Sequence, residues 1–390
     1  MLITLAAPAF AETWYIENGD ITVKASGTEG KNTVSQGDKK DVEDTNTIIT
    51  NQKTDKASSN TVTIEANGKN DKVEVTLKDV NIDTSSRNNA AVSVTGSGNT
   101  TIKLDGDNHL AGGNGIYSNS SGSLTISGDE NDSLTAQGGD SRNGIYSVSG
   151  DVTISGGTVT ATGGNSTGSY GSGGDGIHSG SLTISGGTVT ATGGDSTGSN
   201  GLGGRGICSD SGGITISGGS TVTANGGNGS SGRDGISSSS GVTVSDGTVT
   251  ATGGNSTGSY GSGGDGIRSD GGVTISGGTV KAAGGDSKNG SGGDGIRSGD
   301  IDLSGSLELT AKAGSPNGKA LSQRGNELDL NTIKDKLGPG AKVTTTDADG
   351  KVNQVPIPGP VEPEEPVIPE ESSSSSDGGS ATPSAPASSL

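Results

Sequence analysis

Residues 175–194 read DGIHSGSLTISGGTVTATGG, and the alternation of apolar and small polar residues within them decides the fold. Residues 182–184 and 189–191 place an apolar side chain at every second position, which is the period of a β-strand with one buried face. The pair Gly186-Gly187 between them breaks this pattern and favours a tight turn. No part of the stretch has the 3.6-residue period of a helix.

The same pattern recurs along the chain with a period of about thirty residues. Each repeat begins with a Gly-Ile pair and ends in a loop rich in Gly, Ser, Asn and Asp. Successive isoleucines are 29, 32, 30, 29, 31 and 29 residues apart. These isoleucines are Ile116, Ile145, Ile177, Ile207, Ile236, Ile267 and Ile296. An unfolded low-complexity coil is the alternative, but it would not keep apolar alternation in register over seven repeats.

Three short strands in each repeat predict an all-β solenoid in which each coil covers the strand edges of its neighbour. This architecture is a parallel β-helix. Less regular alternation at 73–77 and 102–104 extends the pattern towards the N-terminus. We therefore place about 9–11 coils, by counting repeats of this period, between residues 45 and 325. The long Gly-rich loops are expected to make few ladder hydrogen bonds and to be mobile.

The two ends of the chain differ in composition from the repeats. Residues 1–11 are typical of the remnant of a secretory signal peptide, and residues 12–44 are predicted to cap the solenoid. Residues 326–355 are predicted to form a second cap, with a short helix from Asn331 to Leu337 and then a hairpin. The Pro-, Glu- and Ser-rich segment 356–390 predicts a disordered linker that acts as a spacer or only as a tail.

Composition and charge exclude several classes of protein. Glycine contributes 75 of 390 residues and aromatic residues only 2 %, which argues against a close-packed α/β enzyme or a coiled coil. The net charge of −19 disfavours nucleic acid as a partner, and no segment after residue 11 is suited to membrane insertion. Cys208 is the only cysteine, so an intrachain disulfide is excluded. We expect a secreted or bacterial cell-surface protein.

Stacking would align equivalent positions of successive coils about 4.8 Å apart and so create columns of side chains. Asp or Asn recurs before most of the Gly-Ile pairs and again after the second Gly-Gly of the repeat. Rows of carboxylates repel one another unless a cation lies between them, and oxygen ligands suit Ca²⁺. The alternative is that these residues only form turns before glycine. The candidate calcium ligands are Asp175, Asp195, Asp234, Asp265, Asp286 and Asp294.

The position after each Gly-Ile pair contains aromatic and basic residues. Aromatic rings stack on sugars, and Arg forms paired hydrogen bonds with the carboxylates of acidic sugars. This pattern favours a linear polysaccharide lying along the face, although the same side chains would also shield the sheet. Exposed tyrosines in two near-identical loops add to the set. The candidate carbohydrate-binding residues are Tyr117, Tyr146, Tyr170, His178, Tyr260, Arg268 and Arg297.

Catalysis finds little support in the sequence. His109 and His178 are the only histidines, and neither lies in a motif suited to nucleophilic chemistry. Cys208 lies in a strand and is interpreted as a spectator. No isolated carboxylate pair stands out for glycoside hydrolysis. We expect no catalytic residues, with a polysaccharide lyase that uses calcium and Arg268 or Arg297 as an alternative.

Residues 75–82 (VTLKDVNI) and 101–110 (TIKLDGDNHL), followed by the Gly-Ile and Leu-Thr-Ile-Ser-Gly units, resemble a bacterial family. This is the carbohydrate-binding-domain family of clostridial-type surface proteins, and the resemblance covers about residues 45–350. It implies a right-handed, single-stranded parallel β-helix like that of pectate lyase. It also implies bound calcium and non-catalytic binding of plant cell-wall polysaccharides such as cellulose or polygalacturonate.

The sequence hypothesis is a monomeric, surface-exposed protein that binds polysaccharide with the help of Ca²⁺. The linker at 356–390 would attach it to the cell wall. The first alternative is an adhesive stalk that displays variable loops. The second is the lyase.

Overall fold

The computed structural model describes residues 11–28 and 30–356, and in them three β-sheets run along a solenoid. Each regular coil contributes its Gly-Ile strand to sheet 3, the next strand to sheet 1 and the last to sheet 2. The predicted all-β parallel β-helix is therefore confirmed, and the ten strands of sheet 1 between residues 45 and 325 agree with the expected 9–11 coils. The predicted signal remnant, apart from Ala11, and the predicted linker after Pro356 lie outside the described residues.

The strands of each sheet follow one another in parallel register, with antiparallel additions at some ends. Sheet 1 contains Thr13–Tyr15, Ile48–Thr50, Lys72–Lys78, Asn99–Asp105, Leu124–Ser127, Val152–Ile154, Leu182–Ile184, Ile214–Ile216, Val242–Val244, Val273–Ile275 and Ile301–Leu303. Sheet 2 contains Asn81–Asp83, Asp107–Gly112, Ser133–Gly138, Thr158–Thr162, Thr188–Thr192, Thr221–Asn225, Thr248–Thr252, Thr279–Ala283, Glu308–Lys312, Lys342–Thr346 and the antiparallel Val352–Pro356. Sheet 3 contains Ile21–Ala25, Val62–Ala66, Val92–Gly96, Ile116–Ser120, Ile145–Ser147, Ile177–Ser179, Ile207–Ser209, Ile236–Ser238, Ile267–Ser269, Ile296–Ser298 and Leu321–Gln323, with Asn32–Gln36, Lys39–Asp44 and Asn326–Glu327 added antiparallel.

The core is a set of apolar columns that lie inside the three sheets. Ile177 pairs with Ile207 and Ile207 with Ile236 in sheet 3, and all three side chains are fully buried. Leu182 pairs with Ile214 in sheet 1 in the same way. A register slip of one residue would turn these side chains outward, so the apolar pattern fixes how the coils align.

The turn between sheet 1 and sheet 2 depends on glycine. Gly187 has a φ of +76°, in the left-handed region that residues with a Cβ rarely adopt. A Cβ on Gly164, in the long loop, would overlap the carbonyl group of Gly139 in the preceding coil. Glycine is therefore required in the turn for its conformation and in the loop for close approach of the backbone.

The long Gly-rich loops are hydrogen-bonded from coil to coil, so the expectation of few ladder bonds was wrong. The Gly163 amide donates to the Thr192 carbonyl at 2.8 Å, and the Gly194 amide donates to the Gly174 carbonyl at 2.8 Å. Ser166 also forms a parallel bridge with Ser196. Without side chains, the glycines approach closely enough to continue the backbone ladder beyond the strands.

Both ends of the described solenoid carry non-repeating structure. The first strands of sheets 1 and 3 already lie within residues 12–44, where Trp14 is buried and donates from Nε1 to Asp44 Oδ2 at 2.8 Å. The helix expected from Asn331 is instead two 3₁₀ turns, Leu330–Thr332 and Lys334–Lys336. The side chain of Asp329, not that of Asn331, caps the first turn. Among the described residues, no helix has the length and apolar character needed to cross a membrane.

Replacing Ile207 by Ala should lower the free energy of unfolding by about 2–5 kcal/mol, because it opens a cavity inside a fully packed column. Thr215→Ala is the matched control, since Thr215 is exposed in sheet 1 of the same coil, and it should cost less than about 1 kcal/mol. Urea unfolding followed by circular dichroism measures both changes. Equal effects of the two substitutions would contradict the stacked core.

Candidate functional site

The residues that follow the Gly-Ile pairs form one continuous column on sheet 3, which we call the outer column. Strand register pairs each member with the next, from one coil to the following coil. The neighbouring isoleucines point inward, so this column lies on the opposite face of the sheet. In order it contains Tyr117, Tyr146, His178, Cys208, Ser237, Arg268 and Arg297.

The N-terminal part of the outer column is an aromatic strip. The ring centroids of Tyr117 and Tyr146 are 5.7 Å apart with the planes tilted by 51°. Tyr146 and His178 contact edge to face at 5.0 Å. All three side chains are partly buried, so the strip offers ring edges and faces to a ligand while also covering the sheet.

Tyr170 and Tyr260 lie apart from the outer column, on the long loops. Their side chains are 82 % and 96 % exposed. Aromatic groups this exposed contribute little to the stability of the chain itself. They remain candidates for contact with a partner, but they do not belong to the outer column.

The aspartates before the Gly-Ile pairs form what we call the first ladder, together with Asn114 and Asn143. Each side chain accepts a hydrogen bond from the backbone amide of the equivalent residue in the next coil. The Asp265 amide donates to Asp234 Oδ1 at 2.9 Å, and the Asp294 amide donates to Asp265 Oδ1 at 2.7 Å. These carboxylates are buried, which the sequence pattern did not indicate. One oxygen of each is therefore used by the backbone.

The second ladder lies in the long loops and is exposed. The Asp195 amide donates to Asn165 Oδ1 at 2.8 Å, and Asp195 Oδ1 accepts from the Asn228 amide at 2.7 Å. Asp286 Oδ1 accepts from the Ser315 amide at 2.8 Å in the same manner. The six predicted calcium ligands are therefore divided between two ladders, and all six accept bonds that hold coils together.

A polar groove of about 380 Å³ joins the first ladder to the basic end of the outer column. It brings together residues that the sequence analysis assigned to metal and to sugar. Its charged lining residues are Arg233, Asp234, Asp265, Arg268, Asp294, Arg297 and Lys319. Four basic groups beside three carboxylates give this part of an acidic protein a local excess of positive charge.

Burial raises the pKa of Asp265 to about 7, and the negative charges of Asp234 and Asp294 add to this effect. The hydrogen bond from the Asp294 amide and the charge of Arg297 oppose it. Near neutral pH, the negative charge of Asp265 is therefore unfavourable unless a proton or a nearby cation neutralises it.

A further cluster lies at the centre of the outer column, where sequence reasoning missed it. His178 Nδ1 is 2.8 Å from Asp175 Oδ2, and His178 Nε2 is 2.7 Å from Asp210 Oδ2. Cys208 Sγ lies 3.4 Å from Asp210 Oδ1. The thirty-residue separation of His178 and Cys208 predicted their alignment, but the interpretation of Cys208 as a spectator overlooked what surrounds it.

Burial shapes the chemistry of this cluster. Burial alone lowers the pKa of His178, but the hydrogen bonds and charges of Asp175 and Asp210 outweigh it and leave the pKa raised. Burial raises the pKa of the Cys208 thiol to about 12, with Arg205 acting in the opposite direction and the two aspartates adding to the rise. Both shifts favour the protonated forms of the imidazole and the thiol.

The N-terminal end also contains a cavity of about 630 Å³, larger than the polar groove. Its lining includes Asn32, Thr47 and Glu74. Asn32 Nδ2 already donates to Thr47 Oγ1 and to the Glu74 carbonyl, at 2.9 and 2.7 Å. This cavity contains none of the predicted site residues, and its polar groups serve the cap.

Asp265→Asn should stabilise the protein increasingly as the pH rises. The folded-state pKa lies above the unfolded value, so ionisation costs stability from about pH 4 to about pH 7, and the full cost is present above pH 7. An Asn at position 265 would still accept the hydrogen bond from the Asp294 amide, as Asn143 accepts one from the Asp175 amide. The gain should exceed about 1 kcal/mol at pH 8 and vanish near pH 4. Thermal unfolding in the presence of a chelator measures it.

Asp195→Asn is the control for this prediction, because it makes the same change in the exposed second ladder. Its effect should be smaller at pH 8, since an exposed carboxylate keeps its hydration. A stabilisation by Asp265→Asn that stayed constant between pH 4 and pH 8 would contradict a buried, readily protonated carboxyl group.

Comparison with known proteins agrees with the repeat architecture. The family model described as "Beta helix repeat" matches residues 182–204, 214–240 and 273–296, which lie in the regular coils. No curated protein and no solved structure matches the chain. The matched repeats and the three stacked sheets together identify the chain as a parallel β-helix repeat protein.

Proposed function

We propose that this β-helix is a secreted or surface-exposed, non-catalytic protein that binds a linear acidic polysaccharide with the help of Ca²⁺. Pectin-type glycans fit this proposal best among plant cell-wall polymers. The observation that carries it is the outer column, which keeps its register across seven coils, with aromatic or imidazole rings at its first three positions and arginines at its last two. A straight row of this kind matches a long polymer better than a compact ligand.

The two parts of the outer column would have different roles. Tyr117, Tyr146 and His178 would contact the apolar faces of sugar rings. Arg268 and Arg297, paired in adjacent strands at the polar groove, would bind the carboxylates of uronic acid units. Arg268 also lies 3.7 Å from Asp270, an exposed partner that a sugar carboxylate would replace.

Calcium would offset the repulsion between an acidic polymer and a protein of net charge −19. The polar groove offers Asp234, Asp265 and Asp294, each with one oxygen bonded to a backbone amide and one left for a cation. Oxygen ligands of mixed origin suit Ca²⁺, which accepts irregular coordination. The sugar carboxylates would supply the remaining ligands.

The double variant Arg268→Ala/Arg297→Ala should bind polygalacturonate at least about tenfold more weakly, because each charged hydrogen bond contributes roughly 1.5–3 kcal/mol. Affinity electrophoresis and calorimetry with the full chain in Ca²⁺ buffer measure this change. The matched control is Lys281→Ala/Lys312→Ala, which removes the same charge from exposed positions of sheet 2. Chelation of Ca²⁺ should weaken binding of the parent protein.

Other outcomes would assign the protein differently. Equal losses in both double variants would show that only net charge matters and would contradict a site at Arg268 and Arg297. No retention on polygalacturonate or on cellulose would favour the adhesive stalk. A rise in ultraviolet absorbance from unsaturated oligosaccharides would identify a lyase and overturn the non-catalytic role.

A further inference from the structure

His178 and Cys208 are direct neighbours in the outer column, on successive coils. Asp175 precedes the first of them by three residues, and Asp210 follows the second by two residues. The chain has only two histidines and one cysteine, so no other pair of coils repeats this combination. The fold therefore gathers an imidazole, a thiol and two carboxyl groups at one place on sheet 3.

We propose that Asp175, His178 and Cys208 bind a divalent transition-metal ion, for which Zn²⁺ is the best match. Thiolate and imidazole are preferred ligands of Zn²⁺, whereas Ca²⁺ takes oxygen ligands. The site lies outside the polar groove, although it shares His178 with the aromatic strip. It also gives Cys208, the residue that the repeat pattern does not explain, a chemical role.

The distances are close to those of a metal site. One donor atom from each of the three residues lies within 4.8 Å of the other two. A tetrahedral site with bonds of about 2.0–2.3 Å separates its donor atoms by about 3.3–3.7 Å. Small side-chain rotations would therefore complete the site while the strand register stays fixed. The His178 side chain is 18 % exposed, which leaves a short route for the ion from solvent.

The groups around the three ligands hold them in place. The Arg205 amide donates to Asp175 Oδ1 at 2.6 Å and leaves Oδ2 directed at His178. Asp210 Oδ2, at 2.7 Å from His178 Nε2, would orient the ring while Nδ1 binds the metal. A carboxylate on the far nitrogen is the usual partner of a metal-bound histidine. Both supporting contacts are already formed in the structure.

The charges balance when a metal is bound. Cys208 Sγ and His178 Nδ1 would each release one proton to solvent, and the metal would bind at the two freed positions. The carboxylate of Asp175 and the thiolate then neutralise a divalent ion. Arg205 interrupts the first ladder here, and the carboxylates of Asp175 and Asp210 act on its guanidinium. Its Nε is buried without a hydrogen-bond partner in the described part of the chain, so a thiolate would give it a nearby anion.

Titration of the reduced full chain with Co²⁺, a spectroscopic substitute for Zn²⁺, tests the proposal. We expect one equivalent to bind with a thiolate-to-metal absorption band in the near ultraviolet, and Zn²⁺ to displace it. Cys208→Ser should abolish the band. This variant should fold, since Ser237 occupies the same position in the next coil. Asp210→Asn should weaken binding by about 10- to 100-fold while the band is kept.

Asp246→Asn is the control, because it alters an exposed carboxylate that lies outside both ladders, between sheets 1 and 2, and it should leave the Co²⁺ spectrum unchanged. Circular dichroism of each variant confirms that the sheets are intact. Absence of the thiolate band in the folded parent protein would overturn the proposal. Equal Co²⁺ affinity in the parent and in Cys208→Ser would overturn it as well, because the thiol would then play no part.

Discussion

The hydrogen-bonded register between successive coils is the constraint on which the rest of the molecule depends. The strands pair residue for residue, so Ile177, Ile207 and Ile236 stack on one another. Only this register buries all three side chains, because a shift by one residue would turn them to solvent. The same register aligns all the remaining equivalent positions of the repeat into columns. The positions of the surface side chains are therefore fixed together, because they follow from the register of the core.

The same register explains how a chain this acidic buries carboxyl groups. In the first ladder, Asp234 and Asp265 each accept an amide of the next coil, as Asn143 does elsewhere in the ladder. Asn supplies this hydrogen bond without a charge, so the ionised form of Asp265, whose pKa burial raises, costs stability that an Asn would not. The aspartates cluster where Arg268 and Arg297 line the same groove. This concentration of charge is what separates the polar groove from the rest of the repeat.

The sequence was informative where a feature depends on periodicity. The thirty-residue spacing predicted the inward isoleucines and the alignment of Tyr117 with Tyr146, because both follow from strand register alone. It did not predict burial of the aspartates, since a turn residue and a ladder residue have the same local pattern. The 3₁₀ turns near Asn331 were expected as a helix, because capping signals do not distinguish the two. The contacts of Asp210 with His178 depend on side-chain directions that spacing does not encode.

The long loops of two coils have an evolutionary consequence. Residues 165–177 and 255–267 are identical in sequence, and they occupy equivalent places three coils apart. Each coil contacts mainly the coils beside it, so removal or duplication of a whole coil would join surfaces that already fit. Recombination between such segments would change the length of the rod in steps of one coil or more while its terminal structures stayed intact. The number of coils is then a quantity that can drift between generations without loss of the fold.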